Sequence, residues 1–114
     1  MKGGQKSEKG KKMVNVSMMV GRLTAKPEIR KVGNTSVTLV TVAINKTKDE
    51  AYFVPVEVWG KEAEALAQYC DKGSKIAVKG YLKTGRYTNK EGKNVNTFAV
   101  CAESIEFCDG KKVE

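Results

Sequence analysis

Apolar positions along the chain alternate with a period of two in five runs, interrupted once by a stretch with helical spacing. The first run is "MVNVSMMVGRL" at 13–23, ended by "TAKPE", where Pro27 interrupts strand pairing. The second, "TSVTLVTVAIN" at 35–45, places Val40, Val42 and Ile44 on one face and Leu39, Thr41 and Ala43 on the other. A charged turn, "KTKDE", leads into "AYFVPVEVW" at 51–59. There Val54, Val56 and Val58 share a face that reads as core, while Phe53, Pro55, Glu57 and Trp59 share the opposite one. The fourth run, "SKIAVKGYLKTGRY" at 74–87, turns Ile76, Val78, Gly80 and Leu82 one way and Lys75, Ala77, Lys79, Tyr81 and Lys83 the other. The hairpin tip "TNKEGK", with Gly92 as turn former, joins it to "NVNTFAVCAESIEF" at 94–107.

Between the third and fourth runs, "KEAEALAQYCDKG" at 61–73 repeats Ala63, Leu66, Ala67 and Cys70 at helical spacing, with Gly73 placed as a C-terminal cap. The order is strand, strand, strand, helix, strand, strand. It predicts an all-β domain with one helix, matching the OB-fold, a five-stranded Greek-key barrel with a helix between its third and fourth strands. The same order also suits other small β-barrels.

Charge changes the picture in one respect. The 114 residues carry 21 Lys and Arg against 13 Asp and Glu, with no histidine. Residues 1–12 hold five of the lysines against Glu8 and no apolar side chain beyond Met1, which reads as a basic flexible arm preceding a domain at 13–108 and a short tail at 109–114. The domain itself is only mildly basic, so a polyanion site there rests on local placement.

Two strands supply that placement. Opposite their apolar faces they mix aromatic rings with cations: Phe53 and Trp59 followed by Lys61, then Lys75, Lys79, Tyr81 and Lys83 with Arg86 and Tyr87 just beyond. Single-stranded nucleic acid uses this mixture, because bases stack on rings while cations neutralise the phosphate track. Parity alone leaves open the rival that these rings close a protein interface. Glu57 shares their face and repels phosphate unless a lysine neutralises it. Catalysis finds no histidine base, phosphate-cradling glycine loop or paired carboxylates. Cys70, Cys101 and Cys108 lack metal-ligand spacing and read as reduced, mostly buried thiols, so no metal or cofactor is expected. No stretch approaches the length of a membrane span, and a cytoplasmic location is expected.

The segments "VGRLTAKPEIR", "VPVEVWGKEAEALAQYCDKGSKIAVKGYLKTGRYTNKEGK" and "AESIEF" resemble the bacterial-type single-stranded DNA-binding proteins, in order and with compatible spacing, across about 13–108. The resemblance implies an OB-fold, a homotetramer, and a non-enzymatic role in coating single-stranded DNA during replication, recombination or repair. Carried over by position, stacking falls to Phe53, Trp59 and Tyr87, and phosphate contacts to Lys61, Lys72, Lys83, Arg86, Arg22 and Arg30. Two departures stand out. The connection "NKTKDEA" at 45–51 is short and has Lys48 where some members carry a further stacking tryptophan. The basic ending "CDGKKVE" lacks the family's acidic partner-recruiting tip, the pattern either of a tailless phage, plasmid or DNA-uptake variant or of a truncated chain. An accessory OB protein bridging replication proteins, or an RNA-binding one, shares the same fold and surface.

Overall fold

The computed structural model describes residues 13–108, so the proposed arm at 1–12 and tail at 109–114 lie outside the described residues. Six strands and one helix follow in order: β1 (Ser17–Leu23), β2 (Arg30–Val32), β3 (Thr35–Asn45), β4 (Ala51–Trp59), α1 (Lys61–Tyr69), β5 (Lys75–Thr88) and β6 (Asn94–Phe107). The sheet order is β1-β5-β6-β4-β3-β2. A further pairing of Arg22 with Ala43 and Leu23 with Val42 returns β3 to β1. β4 and β6 run parallel, Val56 beside Val100 and Glu57 beside Cys101, and all other pairs are antiparallel. Five strands thus close the expected barrel, and β2 is an added edge strand on β3. Among the described residues no helix is long and apolar enough to cross a membrane.

The core follows from strand parity. Val40 and Val42 on β3, Val56 and Val58 on β4, Ile76 and Val78 on β5, and Val100 on β6 all bury inside the barrel. Ala63 and Leu66 of α1 are fully buried against them and plug one end. The helix carries no side-chain cap at Gly60, but Glu62 and Glu64 in its first turn oppose the positive end of its dipole. Glu64 also accepts a 2.7 Å hydrogen bond from the buried Ser36 hydroxyl, which ties the helix to β3.

Two glycines mark where strands crowd. A side chain on Gly21 would place its Cβ 2.5 Å from the Ala43 carbonyl oxygen, at the point where β1 meets β3. One on Gly80 would overlap the Cys101 carbonyl, beside a register shift between Lys79 and Gly80 that bends the long β5–β6 ladder.

Several boundaries differ from the sequence reading. The first strand starts at Ser17, and Asn15 ahead of it uses its side-chain amide to bond the backbone of Leu82. The helix stops at Tyr69, with Cys70 already extended. Gly73 therefore caps nothing. Its positive φ of 90° serves the turn into β5, where its N–H bonds the Leu23 carbonyl. Of the three free cysteines only Cys70 is buried; Cys101 is half-buried and Cys108 exposed.

Candidate nucleic-acid interface

Along β4 the alternation sends Val54, Val56 and Val58 inward and leaves Phe53, Pro55, Glu57 and Trp59 on the outer face. Phe53 is 63% exposed and Trp59 37%. The two rings stand about 20 Å apart along the strand, six residues at 3.3–3.4 Å each.

Glu57 sits between them and makes the most ordered contact on this face. Its Oε1 accepts the Trp59 indole N–H at 2.9 Å and the Lys83 ammonium, also at 2.9 Å. The two bonds hold the Glu57 carboxyl below its ordinary pKa, the Trp59 bond contributing most and Lys83 next. Lys83 is raised in turn, chiefly by its hydrogen bond to Glu57. The carboxylate is thereby neutralised by the lysine, and the indole is fastened at its polar edge, leaving its exposed ring surface to another partner.

Strand register places cations opposite both rings. Arg30 pairs with Val37, and Val37 with Trp59. Arg22 pairs with Ala43, and Ala43 with Phe53. Each ring therefore has an arginine two strands away in the same row, about 10 Å at 4.7–4.9 Å per strand. Val37 is 4% exposed yet stands outside the barrel core cluster. Its two neighbours in register, Arg30 and Trp59, are the side chains long enough to cover it. Arg22 also donates to the Gly73 carbonyl at 2.9 Å, which sets it beside the turn bearing the exposed Lys72.

The remaining expected residues scatter. Tyr81 lies opposite Cys101 on the outer face, and the thiol beside it pushes its phenol pKa up. Tyr87 is exposed farther along β5 on the same parity as Lys83, and Gly85 between them carries no side chain. Arg86 has the opposite parity and lies on the other face of the hairpin from Lys83 and Tyr87, which corrects its grouping with them. Lys61 opens α1 and lines a separate groove with Glu62, Ala65, Ile105 and Phe107. Lys79 pairs with Met18, beyond the register shift from Tyr81, in a groove with Val20, Ala77, Ser104 and Glu106. Lys48 is exposed in the short connection at 46–50, where the Thr47 hydroxyl accepts from the Glu50 N–H.

A shallow groove of about 220 Å³ runs beside the Glu57–Lys83 pair, with Leu39, Pro55, Thr97 and Ala99 among its lining residues. Leu39 is an exposed apolar side chain here. The alternation had put it on this face, but a lone leucine carried no signal of a role.

Residues 14–108 match the model of the family described as "Single-strand binding protein family". Among curated relatives, the chain is 39% identical over 109 residues to "Single-stranded DNA-binding protein B" of Bacillus subtilis (strain 168), covering 90% of this chain and 96% of that one. It is 41% identical over 106 residues to "Single-stranded DNA-binding protein 2" of Staphylococcus aureus (strain COL), covering 87% and 76%.

Proposed function

The chain belongs to the single-strand binding protein family, and from that footing we propose that it binds single-stranded DNA with little sequence preference. It coats strands exposed in replication, recombination or repair and carries out no chemistry on them. The observation that carries this reading is the pair of rows on one face, Phe53 with Arg22 and Trp59 with Arg30. Rings at that spacing take bases by stacking, which is indifferent to sequence because every base has a π-face. The arginines flanking the rows take phosphates, joined by Lys72, Lys83 and, toward the hairpin tip, Tyr87 as a further ring.

The same residues set the order of events. Cations draw the strand in, and stacking then holds it where the Glu57 bond has already fixed the indole, so little side-chain freedom is lost on binding. Duplex DNA offers phosphates but hides its π-faces, so it gains only the first contribution.

We also infer self-association, in line with the homotetramer that the resemblance implies. β1 bonds to β5 along its length but to β3 only at Arg22 and Leu23, so its other edge from 17 to 21 has no strand partner among the described residues. Met18 and Val20 are exposed along it, and Val14 and Val16 just ahead of it. A free apolar edge is a template for pairing with a second copy.

Trp59 is the chain's single tryptophan and its own reporter. Titration with oligo-dT should quench its fluorescence strongly, with a residue of quenching that survives high salt, while a duplex of equal length quenches little. Absence of quenching by both would mean that Trp59 faces protein and would overturn the reading.

A further inference from the structure

Ser36 is 2% exposed, yet three hydrogen bonds meet on it. Its backbone carbonyl accepts the N–H of Gly60, the residue after Trp59, at 2.7 Å. Its hydroxyl accepts from the Lys31 ammonium of β2 at 3.1 Å and donates to Oε2 of Glu64 on α1 at 2.7 Å. Lys31 and Glu64 are both exposed and form no ion pair of their own among the described residues. A single buried hydroxyl therefore joins a cation on one element to a carboxylate on another, and the charge at each end strengthens both bonds.

β2 has little else to hold it. All three of its residues are exposed, and the sheet continues no farther beyond it among the described residues. Its ladder consists of three pairs with β3, Arg30 with Val37, Lys31 with Ser36 and Val32 with Thr35, closed by a turn at Gly33. A two-stranded hairpin of that length is barely stable alone. Ile29 just ahead packs partly against the core. From Arg30 to Val32, the Lys31 bond to Ser36 is the one side-chain hydrogen bond among the described residues.

Strand register gives this link its consequence. Lys31, Ser36 and Gly60 form one row across β2, β3 and the end of β4; Arg30, Val37 and Trp59 form the next. Adjacent rows point to opposite faces, so the row tied to α1 lies behind the row that presents the arginine and the indole. We propose that Ser36 is a positioning residue for single-strand binding: its hydroxyl fastens β2 to α1 through Lys31 and Glu64, and so holds Arg30 in its row with Trp59. Ser36 touches no DNA itself. This role rests on the single-stranded DNA reading above and deepens it, because it names what keeps a short, exposed edge strand in register before the DNA arrives.

The test is salt-dependent binding of fluorescein-labelled oligo-dT to the full chain and to Ser36→Ala, Glu64→Ala, Arg30→Gln and the Ser36→Ala/Arg30→Gln double variant, with melting followed by circular dichroism. Arg30→Gln should lower the log–log salt slope by about 0.7, one phosphate's share. Ser36→Ala should lower it by the same amount although it removes no charge. The double variant should lose no more than either alone. Glu64→Ala should also lower the slope, whereas loss of a carboxylate acting through charge alone leaves it unchanged or steepens it. A wild-type slope in folded Ser36→Ala means a role in folding only and overturns the proposal. So do losses that add in the double variant, or a wild-type slope in Arg30→Gln, which leaves no phosphate contact to position. If Ser36→Ala does not fold, an unchanged or steeper slope in Glu64→Ala overturns it instead. Failure of the wild-type protein to bind oligo-dT at any salt is a different result and removes the underlying reading itself.

Discussion

The Lys83 ammonium lies 2.9 Å from Oε1 of Glu57, the same oxygen that accepts the Trp59 indole N–H. One carboxylate thus fixes a ring and restrains a cation on the surface assigned to DNA. The Lys83 side chain is 51% exposed and that of Glu57 22%, so solvent screening keeps the pair's contribution to folding modest. Its consequence falls on binding. In Glu57→Gln the amide oxygen still accepts from Trp59, but the anion that competes with phosphate for Lys83 is gone. Oligo-dT should bind more tightly at low salt, and the log–log salt slope should steepen by about 0.7. An unchanged slope would show that Lys83 never reaches a phosphate.

The same carboxylate sets a pH dependence. Its pKa in the fold is below the ordinary 4.5, through the Trp59 bond first and Lys83 second. A depressed carboxylate pKa stabilises the fold fully above the unfolded value and ceases to do so as pH falls through the folded one. Lys83 is raised above its ordinary 10.5, so it stays charged throughout this window. The melting-temperature difference between wild type and Glu57→Gln should therefore hold constant between about pH 5 and 8 and close below about pH 4.5. A difference that grows toward acid would contradict the assignment.

Trp59 and Phe53 should separate binding from stability. Alanine at either removes one stacking platform and should cost about 1–3 kcal/mol of affinity for oligo-dT. Phe53 covers nothing in the core and stands 63% exposed, so Phe53→Ala should keep its melting temperature, a change within about 0.5 kcal/mol. Trp59→Ala uncovers Val37, and it should melt measurably earlier while remaining folded. Equal stability in the two variants would mean that Arg30 alone shields Val37.

Strand parity explains why so much of this surface was legible beforehand. The period of two assigns every side chain of 51–59 to a face from one buried valine onward, and the fold keeps that assignment from Val54 to Trp59. What parity does not carry is where a barrel ends. Phe98 has the parity of the buried Val100, yet the hairpin has left the barrel by then and the same face meets solvent. Arg86 was grouped with Tyr87 because they adjoin in sequence, although adjacent strand residues face opposite ways. β2 is three residues long, too short for an alternation to register. The helix was overextended to Gly73 because Cys70 continues the spacing of Ala63 and Leu66. The chain turns early since Gly73 and Ser74 must reach the backbone of Leu23.

The free edge of β1 supplies the last prediction. Val20 faces outward opposite Ala77, half-exposed, in a groove with Met18 and Lys79. In a single copy a glutamate there meets water and costs little, because the side chain is not needed inside the barrel. In an assembly that pairs β1 edges, the same glutamate is carried into a desolvated seam against its own counterpart, where like charges and lost hydration both oppose association. Val20→Glu should therefore leave the melting temperature of the isolated barrel nearly unchanged and lower the mass measured by light scattering. Affinity for an oligo-dT long enough to span several copies should fall with that mass, while affinity for one short enough to lie on a single barrel should not. A folded Val20→Glu protein with wild-type mass would place the contact between copies on another surface.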